Sequence, residues 1–456
     1  MSDFTDPNRM MPLTLAQKDF WEEFTFHPDL PVSTVAHYIE MNGQMDGDAL
    51  NWAIQKTCDE AETLSVRFHD VPDAPFPVQS CDPDYRPVLR QVDLRGEHNP
   101  RQEALRLMHQ DMEKVIDLRS QPVSQQWLLQ LGDDHWMWYN RGHHIVLDGY
   151  SMLLLEQRVA QLYLHKLGKS ERGTSFRPYS DFIDEDLTYS GSTRFASDRA
   201  YWKDRLSGSE RLGVLEKGGE DYGVEGLWGE CPISAKTEQG LLSLAKEVGL
   251  SWPDMLVLVS GAYLLHCLPE AASDAGSDRV LPVWLPFMSR MGSVNALIPS
   301  LGVNILPFYL KTGDAGEDLN GFLRRSAREL RQMRRHGRYR VEQIAADHGI
   351  GSGKRFFFSP LINVMPFEEP DIHGCDSKRV VLSNGPADGF NLTFRADSQG
   401  RGMNLRLDAD PALTSQAEFD MHLRALREYM NRAVRPGNLS HPVERIVQRA
   451  CETTPA

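Results

Sequence analysis

Two adjacent histidines, His143 and His144, are followed by Asp148 and Gly149 in the segment WMWYNRGHHIVLDGYS, Trp136 to Ser151. No other part of the chain combines residue types and spacing so well suited to chemistry. An apolar strand delivers the histidines, Asp148 is placed to cap a following helix, and Gly149 allows a sharp reversal of the chain. His144 is thereby expected beside a helix N-terminus. An imidazole there can take a proton from a nucleophile, and backbone N–H groups can stabilise an oxyanion, which is what acyl transfer needs. The competing readings are a metal site and a pair of satisfied structural histidines. Neighbouring residues on a strand point to opposite faces and the HExxH spacing is absent, so the pair is ill-suited to hold one metal. One histidine, not both, is expected at a shared site.

The elements that must position this segment are read from periodicity and turn residues. Residues 15–24 have an apolar helical face with Thr14 as a cap, 34–41 read as a strand and 46–61 as a helix. Residues 126–131 and 136–141 read as two strands joined by a polar turn, and a long amphipathic helix runs from about 149 to 167, stopping at Gly168. Residues 168–197, rich in Ser, Gly, Arg, Thr and Asp, read as a crossover between lobes, and a second polar stretch runs from Gly208 to Gly226. Beyond it, helices are expected at 235–248, 252–267, 316–335 and 414–433, and strands at 279–288, 302–310, 356–366, 378–383, 390–395 and 402–407. This order describes two lobes of mixed α/β (α+β) type, not a continuous βαβ repeat. No short repeat or long low-complexity segment interrupts it.

The 456 residues leave room for roughly two or three domains. A content of 41% hydrophobic and 25% charged residues is that of an ordinary globular protein. No stretch approaches the roughly 18 uninterrupted apolar residues of a membrane span. The polar start MSDFTDPNRM lacks the features of a secretory signal. The reading is a cytoplasmic protein that begins at its own Met1, with no nucleic-acid or membrane partner. A net charge of −15 disfavours general nucleic-acid binding and suits a cationic small substrate, although acidity also serves solubility alone. The six cysteines are scattered without a CxxC pair and read as reduced thiols. Eight arginines between residues 324 and 340 read either as a solvated helix face or as a contact for an acidic or phosphate-bearing partner. There is no GGxS attachment motif, P-loop or glycine-rich dinucleotide fingerprint. The chain is therefore expected to hold no attachment or nucleotide-binding module and to need no metal or tightly bound cofactor.

HHIVLDG resembles the HHxxxDG signature of nonribosomal peptide condensation domains and related acyltransferases. Other stretches agree in the family's order. Leu15-Ala16-Gln17 with Trp21 is similar to its opening helix motif, Tyr179-Ser180-Asp181-Phe182 to its inter-lobe motif, and Gly302-Val303-Asn304 to its second-lobe strand. Within the family, the strings AQK-FW, HHIVLDGY, WLPFM-R, HGRYR-EQI and SP-IN--PFE are most similar to free-standing amide synthases of vibriobactin-type catechol siderophore assembly. The resemblance covers nearly the whole chain.

That resemblance implies two chloramphenicol-acetyltransferase-like lobes in a V-shaped pseudo-dimer, with an active-site tunnel between them. The first lobe, 1–175, would carry the histidine motif and the second would span 176–456, with one active site in a monomeric chain. It implies that His144 hydrogen-bonds or deprotonates the attacking amine, and positioning can supply much of the acceleration because thioester aminolysis is downhill. His143 would support the strand or border the substrate. Asp148 would point away from the substrate and hold the loop through a salt bridge, next to Gly149. The family's partner arginine is missing, because its position reads Ser65; in an extended segment Ser65 and Arg67 share a face, so Arg67 is the expected substitute. Asn391 and Trp284 match second-lobe positions that line the site, with core packing the alternative for Trp284. Arg290 reads equally as a structural ion pair or a site residue. The implied reaction transfers 2,3-dihydroxybenzoyl from an aryl carrier protein to a polyamine such as norspermidine or spermidine. The alternatives are an acyltransferase using coenzyme A thioesters and a non-catalytic recruitment module, and the intact His144, Asp148 and Gly149 favour catalysis over the latter.

Overall fold

The computed structural model describes residues 5–207, 212–218, 226–269, 279–288, 290, 292–314, 316–351, 353–384, 388–435 and 437–452. In chain order its elements begin β1 (Met11–Pro12), α1 (Leu15–Phe26), β2 (Thr34–Gly43), α2 (Gly47–Glu60), β3 (Val66–His69), β4 (Val78–Cys81), β5 (Arg90–Asp93), α3 (Pro100–Met112), β6 (Ser124–Gly132), β7 (His135–His143) and α4 (Gly149–Lys166). They continue α5 (Tyr179–Ser190), α6 (Thr193–Arg205), β8 (Val214–Glu216), β9 (Leu227–Pro232), α7 (Ala235–Val248), α8 (Trp252–Cys267), β10 (Val280–Met288) and β11 (Val303–Lys311). The last are α9 (Leu319–Arg335), α10 (Val341–Asp347), β12 (Lys354–Phe356), β13 (Leu361–Pro366), β14 (Cys375–Asn384), β15 (Phe390–Ala396), β16 (Asn404–Ala409), α11 (Gln416–Ala433) and α12 (Val443–Glu452).

The chain forms two compact units. The first comprises Met1–Ala196, Met288–Val303 and Glu369–Pro386, and the second comprises Ser197–Phe287, Asn304–Glu368 and Ala387–Ala456. A single cut between residues 175 and 176 does not reproduce this division. Two later segments return to the first unit: β14 lies antiparallel to β2, with Arg379 opposite Ile39, and Arg290 reaches Asp148.

In the first unit a five-stranded sheet has the order β14-β2-β7-β6-β5. β7 is antiparallel to both neighbours, with His143 opposite Thr34 on β2 and Gly142 opposite Ser124 on β6. The strand alternates between two apolar layers. Trp138 faces a core shared with Ile39, Leu128, Ile54 of α2 and Val159 and Leu162 of α4. Met137 and Tyr139 face the opposite layer, with Ala104 and Met108 of α3. Each fully buried side chain of this size contributes about 1.5–3 kcal/mol, so the strand that ends at the histidines is firmly held.

Thr14 caps α1 through a capping box with Gln17, and Asp46 caps α2 through the Ala49 amide. Residues 168–197 are more ordered than a crossover. α5 and α6 occupy most of the stretch, burying Tyr179, Ile183 and Trp202 while polar residues face outward. The continuous strand expected at 356–366 is two strands, β12 and β13, with a cis Ser359-Pro360 bond between them. Of the polar stretch from Gly208 to Gly226, residues 208–211 and 219–225 lie outside the described residues, and 212–218 contain β8.

The second unit is built on a six-stranded sheet of order β11-β10-β13-β15-β16-β9. β13 runs parallel to β10 and β15, while β16 is antiparallel to β15 and β9. α8 is buried continuously from Asp254 to Leu265. At Gly261 a Cβ would come 2.5 Å from the Leu310 side chain, so glycine lets this helix approach β11 closely. Among the described residues no single helix is long and apolar enough to cross a membrane. The pair α7–α8 meets that test jointly but is bent by 102°.

Candidate active site

β7 delivers the two histidines with different surroundings. His143 is buried, its Nδ1 accepting the Ile145 amide at 3.1 Å and its own amide donating to the Val123 carbonyl at 2.9 Å. Burial, together with the neighbouring His144 and Arg141, lowers its pKa to about 3. The ring packs under the turn that follows β7, against the Ile145 amide. His144 is half-buried. Its amide donates to the Ser33 carbonyl at 2.8 Å, and its ring stacks on Phe20 of α1, centroids 4.9 Å apart and planes 18° from parallel. Its Nδ1 is buried and has no hydrogen-bond partner among the described residues. The two side chains occupy different environments, as the alternation of a strand requires.

Asp148 is the N-cap of α4. Its Oδ1 accepts from the Ser151 amide at 2.9 Å and the Ser151 hydroxyl at 2.8 Å. Its Oδ2 accepts from the amides of Gly302 and Val303 at 2.9 and 3.0 Å. Nη2 of Arg290 reaches both oxygens, at 2.8 and 2.7 Å. Burial raises the pKa of this carboxyl, but Arg290 and the amides more than offset that, holding it below the usual carboxylate range. Gly149 opens the helix in an exposed position without a left-handed φ, so the turn does not require glycine for its backbone angle.

The partner of Asp148 is therefore Arg290 and not Arg67. Arg67 points outward from β3, pairing with Asp82 at 3.2 Å and lying over the Tyr85 ring. Ser65 is buried with its hydroxyl donating to the Glu62 carbonyl at 2.7 Å. Arg290 is anchored on its other side, where Nη1 donates to the Asn295 carbonyl at 2.6 Å and the Asn295 side chain at 2.8 Å, and Nη2 donates to the Ser300 carbonyl at 2.6 Å. Of the two sequence readings of Arg290, the structural ion pair is the one observed. Its separation in the sequence hid it, as did that of the Gly302 and Val303 amides.

The remaining motifs find one another within their units. In the first, Gln17 donates to the Tyr179 hydroxyl at 3.2 Å, and the Tyr179 amide donates to Glu62 at 2.7 Å. In the second, the Asn304 side chain donates to the carbonyls of Gly337 and Tyr339 and accepts the Val341 amide, holding the HGRYR turn. Trp284, Leu361 and Asn391 stand in register across β10, β13 and β15. Trp284 is fully buried against Phe356 and Phe358, which is the core-packing alternative. Asn391 is buried and its Oδ1 accepts the Leu361 amide at 3.1 Å, leaving Nδ2 as its donor to other groups.

The arginine run divides. Arg325 pairs with Glu317 at 2.7 Å, Arg334 with Asp254 and Arg340 with Glu342 at 3.0 Å. Arg328, Arg331 and Arg335 border a concavity of about 380 Å³ with Gln332 and His336.

The signature, its buried ion pair and the mixed α/β fold agree with one family. The profile of the condensation domain matches residues 8–450. The chain belongs to the condensation-domain family. Condensation domains transfer acyl or peptidyl groups to form amide bonds, and this chain is a transferase of that kind. It is 30% identical over 423 residues to the dimodular nonribosomal peptide synthase of Bacillus subtilis (strain 168), covering 92% of this chain and 17% of that protein. It is 28% identical over 399 residues to enterobactin synthase component F of Escherichia coli (strain K12), covering 86% and 30%. The condensation domain thus spans less than a third of these curated relatives. Among solved structures it superposes on VibH, an NRPS condensation enzyme, with a TM-score of 0.83 at 30% identity, covering 94% of this chain and 100% of that one.

Proposed function

We propose that this condensation domain transfers an aryl acyl group, 2,3-dihydroxybenzoyl, from the phosphopantetheine thioester of a separate aryl carrier protein to an amine of a soluble polyamine such as spermidine or norspermidine. The setting is catechol siderophore biosynthesis in the cytoplasm. The observation that carries the catalytic reading is the intact arrangement at the end of β7: a half-buried His144 ring beside a loop fixed by the buried Asp148–Arg290 pair. The similarity to VibH and to an enterobactin synthase supports the siderophore setting. The net charge of −15 supports a polycationic acceptor.

In this reaction the amine nitrogen attacks the thioester carbonyl, the C–N bond forms, the C–S bond breaks, and the amine proton ends on the departing thiol. His144 supplies the imidazole that orients the amine or takes its proton on the way. Asp148 acts through the loop, since its oxygens are occupied by Ser151, Arg290, Gly302 and Val303. Asn391, through Nδ2, is proposed to border the substrate. No metal or resident cofactor is invoked, because aminolysis of an activated thioester needs neither a redox step nor a second activation. The exposed arginines of α9 suit an acidic, phosphate-bearing partner.

The test is to incubate the protein with 2,3-dihydroxybenzoyl-loaded aryl carrier protein and a panel of spermidine, norspermidine, a diamine and amino acids, with His144→Ala as control. Mass spectrometry should detect a polyamine amide that depends on the protein and falls about 10²–10⁴-fold in rate in the variant. No amide with any amine, from folded protein and verified donor, overturns this assignment.

A further inference from the structure

We propose that Phe20 is a positioning residue for His144, its ring setting the plane of the imidazole in place of the Nδ1 hydrogen bond that usually orients a catalytic histidine. The inference rests on His144 being the imidazole of the reaction. A histidine that works through one ring nitrogen is commonly aligned by a partner on the other, a carboxylate or a backbone carbonyl. Asp148 does not play that part here, because it turns to Arg290 and the Gly302 and Val303 amides. Among the described residues no polar group meets the buried His144 Nδ1, so no side chain or backbone group described there fixes rotation of the ring through that atom. What does lie against the ring is the Phe20 face, 4.9 Å away and 18° from parallel. Offset stacking at this separation is enough to favour one ring orientation roughly severalfold.

The backbone of His144 is held from the same region of the chain. Its amide donates at 2.8 Å to the carbonyl of Ser33, which follows α1 and has a φ of 56°. A serine in the left-handed region carries strain that its surroundings must hold in place. Here the Ser33 hydroxyl is bonded to Glu23 of α1. α1 thus bears on His144 twice, through Phe20 on the ring and through Glu23 and Ser33 on the backbone. With Nδ1 enclosed, Nε2 is the nitrogen left to meet a reactant, and the stack fixes the direction in which it points.

The experiment compares Phe20→Leu, which keeps an apolar side chain but removes the planar face, with Phe20→Tyr, which keeps the face. Both are made in the full chain, with and without His144→Ala, and amide formation is followed at saturating carrier donor. Phe20→Leu should lower kcat about 3- to 10-fold, leave KM for the carrier unchanged, and be rescued by Phe20→Tyr. In the His144→Ala background Phe20→Leu should add no further loss. An unchanged kcat, or the same loss with His144 absent, overturns the proposal. The second readout needs no turnover. The imidazole resonances of His144, assigned by their loss in His144→Ala, should carry the ring-current shift of a stacked phenyl and lose it in Phe20→Leu. Unchanged resonances also overturn the proposal. If no amine yields an amide, this arm still decides the positioning while the proposed reaction falls. Should Phe20→Leu fold poorly, Phe20→Met provides the same loss of the aromatic face for both readouts.

Discussion

Arg290 meets both carboxylate oxygens of Asp148, at 2.8 and 2.7 Å, across 142 residues of chain, and both side chains are almost completely buried. The pair binds the segment Met288–Val303 to the start of α4, immediately after the histidines. A buried ion pair of this kind contributes little net stability against an apolar replacement. Removing one partner is a different matter, because it strands the other charge without water.

Arg290→Ala is accordingly expected to destabilise the fold by about 3–5 kcal/mol. Arg290→Lys should rescue only part of this, since an ammonium lacks the fork that reaches Asp148 on one side and Asn295 on the other. Asp148→Leu combined with Arg290→Met should cost less than the sum of the two single changes. Denaturant unfolding of these five variants against the wild type checks this. Equal, small losses for all of them would show that the pair is not coupled.

Gly302→Ala should damage the same loop without altering any charge. A Cβ there would lie 2.2 Å from Asn295 Nδ2 and 3.2 Å from Arg290 Nη2, and both side chains are already committed to hydrogen bonds. We expect a loss of about 1–3 kcal/mol, as for other overpacked sites, together with reduced amide formation. Wild-type stability and turnover in this variant would mean that Asn295 and Arg290 can move aside freely.

Much of this arrangement was legible in the sequence because it is local. The strand before His143, the cap at Asp148, the helix from Gly149 and its stop at Gly168 follow from alternation, capping and turn chemistry over adjacent residues. The partner of Asp148 was not legible. Arg67 was the nearer candidate by alternation on a strand, but alternation says which face a side chain takes and not which charge stands opposite. Only the return of residues 288–303 to the first unit brings Arg290 there. The same lack of long-range information hid the return of β14 to the edge of the first sheet. It also hid the stacking of Phe20 on His144, where the AQK-FW string marked the helix but not what its first aromatic touches. The helices within 168–197 were missed for a different reason. Their polar composition belongs to the outer faces, while Tyr179 and Ile183 carry the buried i, i+4 stripe.

The exposed arginines of α9 lead to a prediction in salt. Arg328 and Arg331 are exposed, three residues apart on one helical face, and border the 380 Å³ concavity. If an acidic carrier docks there, Arg328→Glu with Arg331→Glu should raise KM for the carrier roughly three- to tenfold at low ionic strength, at unchanged kcat. The dependence of KM on salt should flatten at the same time. Identical salt curves for wild type and variant would place the carrier elsewhere.

Acid stability separates two kinds of buried group. The carboxyls of Asp148, Glu156 and Glu60 are each pushed up by burial but brought below the ordinary range by stronger attractions: to Arg290, to Arg379 and His37, and to Arg158 and Arg172. A depressed carboxyl pKa stabilises the fold fully above the unfolded value, near pH 4–5, and that stability is lost as pH falls through the folded value. His143 acts earlier. Its folded pKa is about 3, so between that value and the unfolded value near 6.5 the unfolded chain holds a proton that the folded chain does not. Stability should therefore begin to fall on acidification below about pH 6.5, with His143 contributing at most about 1.4 kcal/mol per pH unit. His143→Asn, which keeps an acceptor near the Ile145 amide, should remove that contribution and flatten the upper part of the curve while preserving the steeper loss below about pH 4. Urea unfolding at a series of pH values reads both parts. An unchanged slope between pH 6.5 and 4 in the variant would mean that His143 is protonated in the fold, and its strand-supporting role would then need a second partner.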